Sequence, residues 1–388
     1  MRLRLLLPLC ALLLTLGACD DVPGIGAGQV FEPGGEPQGR RVLVDSVNTT
    51  RTRDFTGGSA GSATSTPQNV LAGRVVDPSL GTVEARAAVE FGNPTGNNLT
   101  GFRGTAVTKA TLTVPLARYY GDTTSAVTYE LRSLAKELTT IGIPSDSALA
   151  TSSVVTTVTA NRRDSVLTVV LPAAWITAND ARLRATAAGD SLHGFVLAAL
   201  SGNQVRRIRF SGVVLTAIAG ADTARFTGSI GATQVTRTGV PALAASERLL
   251  QDGFPARLTV PFDTSGLGSG GALARVSLVV PYDSTRLVTP AGFLRPAPPR
   301  LQLLGLNAAG TTLLFNGLLF GQALPTKGRA IFTSEPLRRA FQDAKSGRSS
   351  PVTRLTFTYD DLDGGLGAMV VNAEGPSRPY FVFTTVGN

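Results

Sequence analysis

"VTKATLTVPLARYYGDTTSAVTYELRSL", residues 107–134, decides the fold class. Ala110, Leu112, Val114 and Leu116 alternate with Lys109, Thr111, Thr113 and Pro115. After a Gly-Asp turn, Val127, Tyr129 and Leu131 alternate with Thr128, Glu130 and Arg132. A period of two puts apolar side chains on one face of a strand and polar ones on the other. The same period recurs along the chain. "EARAAVEF" (84–91) sets Ala85, Ala87, Val89 and Phe91 against Glu84, Arg86 and Glu90. Leu258, Val260 and Phe262 form another such set, as do Val276, Leu278, Val280 and Tyr282, and Leu355, Phe357 and Tyr359. One dry and one wet face per strand is the signature of antiparallel sheets packed as a sandwich. The expected fold is all-β, with two tandem antiparallel, jelly-roll-like β-sandwich domains, each carrying one short helix.

The two-domain expectation comes from a repeat. "EARAAVEF" followed by "VTKATLTVPL" corresponds to "PARLTVPF" (255–262) followed by "LARVSLVVPY" (273–282). Pro115, Pro261 and Pro281 lie in these runs, and proline cannot donate to a ladder, so edges or bulges are predicted there. Each half then has a helical stretch, "AAWITANDARLRATAAGD" (173–190) and "TSEPLRRAFQDAKSG" (333–347). In the second, Ser334 is the predicted N-cap, Pro336 suits the first turn and Gly347 ends the helix. Trp175, the single tryptophan, reads as a core plug beside its helix. "AGADTA" (219–224) breaks the apolar pattern. The expected division is a signal peptide at 1–18, a Gly/Pro-rich tether at 19–40, domain one at 41–220 and domain two at 221–388. A loop is read at 51–69. Residues 301–326 carry no charge, yet polar residues interrupt them. They read as two buried strands around "NAAG" rather than as a membrane span.

The N-terminus indicates location. Arg2 and Arg4 precede an apolar run from Leu5 to Leu16. This has the form of a signal peptide and is shorter than the roughly 20 apolar residues of a spanning helix. It ends in "LTLGACDD" (14–21), where Leu16-Gly17-Ala18-Cys19 resembles the lipobox of bacterial lipoproteins. The resemblance implies cleavage before Cys19 and acylation of that residue with diacylglycerol and palmitate-like chains. At about 0.8 kcal/mol per buried CH₂, more than one chain gives stable anchoring. The only other cysteine is Cys10, inside the signal. The processed chain therefore has no second thiol for a disulfide, a thiolate metal site or a nucleophile. Asp20 after the lipidated cysteine marks inner-membrane retention in some Gram-negative lineages. The long tether favours the outer membrane.

Charge and chemistry narrow the function. The formal charge is +9, almost all from arginine. Pairs occur at 40–41, 162–163, 206–207 and 338–339, with no longer basic run and no aromatic-basic RNA motif, so no nucleic-acid partner is expected. The single histidine, His193, precedes an apolar strand and reads as a turn residue, and no G-x-S-x-G elbow is present. "GLGSGG" (266–271) lacks the Lys-Ser/Thr of a phosphate loop. Asp360, Asp361 and Asp363 are weak metal candidates whose spacing fails the EF-hand pattern, so a solvated turn is preferred. In "YYGDT" (119–123), Tyr119, Tyr120 and Asp122 could stack on and hydrogen-bond a sugar. The competing reading is a turn with one tyrosine in the core. No carboxylate pair stands out as a glycosidase dyad, no cofactor is expected and the chain is read as non-enzymatic.

Two further resemblances concern the body of the chain. Paired strands, a short helix, a Gly-started strand and a final "RPY" strand resemble the DNRLRE-type β-sandwich modules of bacterial surface proteins. Gly73, Asp77, Pro78 and Gly81, followed by Tyr119, Tyr120, Gly121, Asp122 and Thr123, resemble the envelope-lipoprotein family called domain of unknown function 4270. These resemblances imply a lipid-anchored envelope protein of β-sandwich modules that binds carbohydrate or a partner protein. A polysaccharide-active hydrolase and a purely structural lipoprotein are the alternatives.

Overall fold

The alternating runs become strands. β1 (Arg40–Leu43) and β2 (Asn48–Arg51) come first, then β3 (Asn69–Asp77), β4 (Gly81–Phe91), β5 (Thr95–Gly96) and helix α1 (Leu99–Gly104). β6 (Lys109–Pro115), β7 (Ala117–Asp122), β8 (Val127–Leu134), β9 (Thr151–Ala160) and β10 (Val166–Val170) lead to helix α2 (Ala173–Leu183). β11 (Gly194–Ser201), β12 (Gln204–Arg209), β13 (Val214–Ala219) and β14 (Asp222–Thr238) follow. The remainder holds β15 (Glu247–Gln251), β16 (Ala256–Pro261), β17 (Ala272–Pro281), β18 (Phe293–Leu294), β19 (Leu301–Leu306), β20 (Leu319–Ala323) and β21 (Arg329–Thr333). Helix α3 (Glu335–Lys345), β22 (Arg354–Tyr359), β23 (Ala368–Asn372) and β24 (Tyr380–Val386) close it. These elements come from a computed structural model that describes residues 39–51, 69–138, 151–186, 192–239, 243–254, 256–264, 267, 271–283, 285–287, 289–310, 319–348, 350–359 and 365–386. The signal peptide, Cys10, Cys19, nearly all of the tether and of the 51–69 loop, and Asp360, Asp361 and Asp363 lie outside the described residues. Arg40–Asn388 forms one compact unit, and it is all-β apart from its short helices.

Two large hydrophobic cores organise the strands, one built from residues 70–226 and one from 44–47 together with 250–383. Their strand pairings correspond. In the first, β4 pairs β11, β11 pairs β8 and β8 pairs β9. In the second, β16 pairs β22, β22 pairs β19 and β19 pairs β20. β6 lies between β10 and β13 as β17 lies between β21 and β24. β3 pairs β12 as β15 pairs β23. The repeat read from "EARAAVEF" and "PARLTVPF" thus extends to the pairing order, with β4 answering to β16 and β6 to β17.

The strand that joins the layers has a different source in each core. In the first it is β14, whose residues 222–227 pair β13 and whose residues 228–238 pair β4. It bends at Gly228, where a Cβ would stand 2.1 Å from the Phe210 carbonyl oxygen. In the second core, β24 is paired by β1 and β16 by β2. The N-terminal segment 40–51 therefore does for the second core what β14 does for the first, with Val44 and Val47 buried in it. The division expected at 220/221 consequently falls in the turn of the hydrogen-bonded β13–β14 hairpin. Residues 41–51, assigned by sequence to the first domain, pair with strands of the second core and bury Val44 and Val47 in it. Local alternation identifies a strand but not a partner more than 200 residues away.

Other expectations need smaller corrections. Ala85 packs with Val83 in a separate cluster, whereas Ala87, Val89 and Phe91 enter the first core. The single dry face is divided because β4 pairs β3 up to Ala85 and β11 from Ala87 onward. Pro115, Pro261 and Pro281 are the last residues of β6, β16 and β17, all interior strands. Proline is accommodated there by ending the strand rather than by lying on an edge. Helix α1 was not anticipated; the Asn98 side chain caps it by accepting from Gly101 N at 3.1 Å. Helices α2 and α3 form where the sequence places them. Ser334 accepts from Leu337 N at 3.2 Å, and Leu337 and Phe341 turn into the core. Trp175 packs against the first core and donates to Ser133 Oγ at 2.9 Å. β19 and β20 are antiparallel, with 311–318 between them outside the described residues. No helix among the described residues is long and apolar enough to cross a membrane.

Candidate functional site

The "YYGDT" turn, the first candidate from sequence, is not an open platform. Tyr120 has no exposed surface. Its hydroxyl donates to Asp77 Oδ2 at 2.6 Å, and Phe293 meets its ring edge-on at 5.8 Å. Burial and the neighbouring Asp77 carboxylate both push the Tyr120 phenol well above its ordinary range. Tyr119 points the same way, accepting at its hydroxyl from Leu366 N at 3.1 Å, with the Arg207 guanidinium 4.2 Å from its ring centre. Adjacent strand residues ordinarily face opposite sides. Here the β7–β12 register skips Tyr119, pairing Val205 with Tyr120 and Arg206 with Arg118. That bulge turns both tyrosines to one face. Gly121 permits the turn with φ +103°, and a Cβ there would lie 2.4 Å from the Asn203 carbonyl oxygen. Asp122 caps its own turn, accepting from Thr124 N and Oγ1 at 2.7 Å each. These hydrogen bonds, the side-chain one first, hold its carboxyl below the usual range.

The tyrosines instead belong to a joint between residues of the first core and the later chain. β18 pairs β7. Leu366 packs with Leu71, Val75, Val83, Tyr120, Val205 and Val235, and Phe254 and Phe293 cover this cluster. Beside it, Arg295 forms a bidentate ion pair with Asp77: Nη2 donates to Oδ1 at 2.8 Å and Nε to Oδ2 at 3.0 Å. The side chains are 7% and 0% exposed. Ser79 N and Leu80 N also donate to Asp77 Oδ1, so the buried carboxylate is fully partnered.

A second site is open. A cleft of about 470 Å³ lies at the end of β4, walled by Arg103 of α1, Ala185 and Thr186 after α2, Leu192 and His193 before β11, and Ser229 of β14. Phe91 and Phe226, both buried first-core residues with ring centres 6.4 Å apart, also line it. Polar groups converge from separate strands and loops: Glu90, Asn93, Arg103, Glu137, His193 and Ser229. The frame is fixed by hydrogen bonds. The His193 carbonyl accepts from Phe91 N at 2.9 Å. Glu90 Oε2 accepts from Leu138 N at 2.5 Å, and its backbone carbonyl accepts from Ser229 Oγ at 3.2 Å. Arg184 pairs with Asp180 and donates to the Arg103 carbonyl at 2.9 Å, tying α2 to α1. Asp180 Oδ1 accepts from Val107 N at 2.8 Å. These partners, the Arg184 hydrogen bond first, lower the Asp180 carboxyl.

His193 directly precedes strand β11, and the residue also lines the cleft. Sequence reasoning missed Arg103, Glu137 and Asn93, and took Glu90 for a wet-face residue. The available signal was the Gly/Pro/Asn-rich stretch "GNPTGNN" directly after Phe91, where a strand end opens into loops. The described residues hold no group of three metal-ligating side chains. No protein-family model and no curated protein sequence matches this chain.

Proposed function

We propose that this chain is a lipid-anchored cell-envelope protein whose β-sandwich modules bind glycan at the His193 cleft without catalysis. Cys19 carries the anchor, and residues 69–238 and 40–51 with 247–386 form the two modules. The observation that supports glycan binding is the cleft itself. Hydrogen-bonding side chains of Glu90, Asn93, Arg103, Glu137, His193 and Ser229 line it together with Phe91 and Phe226, a mixture suited to a polyhydroxylated ligand. Hydrogen bonds fix the end of β4 to His193 and tie α1 to α2, which limits the conformational entropy lost on binding.

Glu90 and Glu137 on one cleft favour a second reading, a polysaccharide hydrolase, since a glycosidase uses two carboxylates across its cleft. Against it, Glu90 is committed to the Leu138 amide, which positions the segment carrying Glu137. Residues 20–388 applied to a glycan array are expected to give discrete hits that weaken in Arg103→Ala and His193→Ala, with no release of reducing ends. No hit on the array would remove the glycan reading, and turnover abolished by Glu90→Gln would establish the hydrolase. The anchor has its own test. Cys19→Ala should abolish acylation and release the protein from membranes, and unchanged fractionation would defeat that part.

A further inference from the structure

Several arginines of this protein carry a carboxylate partner. Arg86 pairs with Glu84, Arg132 with Glu130, Arg286 with Glu247 and Arg338 with Glu335. A different group converges on the turn between β9 and β10. Arg118 donates through Nε to the Arg162 carbonyl at 3.1 Å. Arg206, directly opposite Arg118 in the β7–β12 register, donates through Nη2 to the Asn161 carbonyl at 3.0 Å. Arg162 and Arg163 are exposed on that turn, and exposed Arg74 stands opposite Gln204, two residues from Arg206.

None of these five arginines is ion-paired among the described residues. Two carboxylates lie close by: Asp164, on the same turn, accepts through Oδ2 from Asn161 N at 2.7 Å, and Glu84 stands opposite Arg74 on β4 but is paired with Arg86. Like charges directly opposite on neighbouring strands repel. Arg206 is 1% exposed and its Nε has no hydrogen-bond partner. Burial first, and the nearby Arg118 charge, lower the Arg206 guanidinium from its ordinary value against the opposing influence of Tyr129 and Asp164. The turn between β9 and β10 therefore gathers Arg118, Arg162, Arg163 and Arg206 around the carboxylate of Asp164, an excess of positive charge that an anion would relieve.

We propose that this arginine surface binds an acidic polysaccharide, one bearing carboxylate, sulfate or phosphate groups. The planar guanidinium forks of Arg118, Arg162, Arg163 and Arg74 match such oxyanions bidentately. Exposed Asn161 and Ser165 beside them offer hydrogen bonds to sugar hydroxyls. The surface is separate from the cleft, which none of these residues lines. The choice of a polysaccharide over a nucleic acid rests on the export reading of the N-terminus.

The test measures binding of residues 20–388 to dextran sulfate, to a polyuronate and to neutral dextran. Both polyanions are expected to bind, more weakly as salt rises, while neutral dextran does not. Arg162→Glu with Arg163→Glu should lower the affinity at least about tenfold, as expected when like charge is placed against a charged partner. The charge-matched change Lys109→Glu with Arg225→Glu should alter it less than about twofold, since those residues lie away from the turn. Arg74→Glu alone serves as a second variant should the double change disturb folding. Equal losses in the two double variants, no binding to either polyanion, or binding only to vesicles containing anionic phospholipid would each overturn the proposal. Cleft substitutions leave polyanion binding unchanged, so failure of the cleft reading and failure of this one give different results.

Discussion

A chain that begins at residue 52 is expected to lose its second core. β1 supplies the partner of β24 and β2 the partner of β16. Their removal bares the backbone of both strands along those registers. It also removes Val44 and Val47, each 2% exposed. Burying one valine stabilises by roughly 1.5–3 kcal/mol, so the two side chains account for about 3–6 kcal/mol before any hydrogen bond is considered. Total stability of a domain is only about 5–15 kcal/mol. Hydrogen exchange should show protection lost in β16, β17, β22 and β24 while β4, β6 and β11 remain protected, because the first core has its own joining strand in β14. Bared strand edges also favour aggregation. A synthetic peptide of residues 40–51, added in trans, should restore protection and solubility. Full protection of β24 and β16 in the truncated chain would refute this role for the N-terminal strands.

Asp77→Ala and Arg295→Ala are each expected to destabilise the protein by about 3–5 kcal/mol, the range for stripping one partner from a buried ion pair. The cost comes from what is left behind. Without Asp77, Arg295 keeps a guanidinium charge that is 7% exposed, and the Tyr120 hydroxyl loses its acceptor. Without Arg295, a carboxylate with no exposed surface has only neutral donors. Replacing both, as Asp77→Leu with Arg295→Met, removes the stranded charge and should cost far less than the sum of the single changes. Urea midpoints for the unchanged protein, Asp77→Leu, Arg295→Met and the double variant complete the cycle. Additive single effects, or single effects below about 1 kcal/mol, would show that the pair does not hold the joint.

Much of the fold was legible in the sequence because its signals are local. Alternation at 107–116 and 127–134 identifies β6 and β8, since a strand's two faces depend only on neighbouring residues. Ser334, Pro336 and Gly347 mark α3 through the hydrogen-bonding needs of a helix end. Likewise, two similar strand pairs indicated a repeat, and the pairing order carries that likeness through both cores. The candidate site was far less legible. Arg103, Glu137 and His193 are separated by dozens of residues and meet only where the ends of β4 and α1 lie beside the start of β11. Tyr119 and Tyr120 resemble a sugar platform in sequence, yet a bulge that skips Tyr119 in the β7–β12 register turns both into a buried joint.

What the sequence alone determined is therefore the strand class, the helix ends and the repeat, each set by interactions within a few residues. Tertiary structure decided the pairing partners. It placed residues 40–51 in the second core and matched Asp77 with Arg295. It also brought Arg118 and Arg206 to the turn that carries Arg162 and Arg163. Those outcomes depend on which distant backbone and which distant charge is nearest after folding, and a linear pattern of apolar and polar residues is the same for every candidate partner.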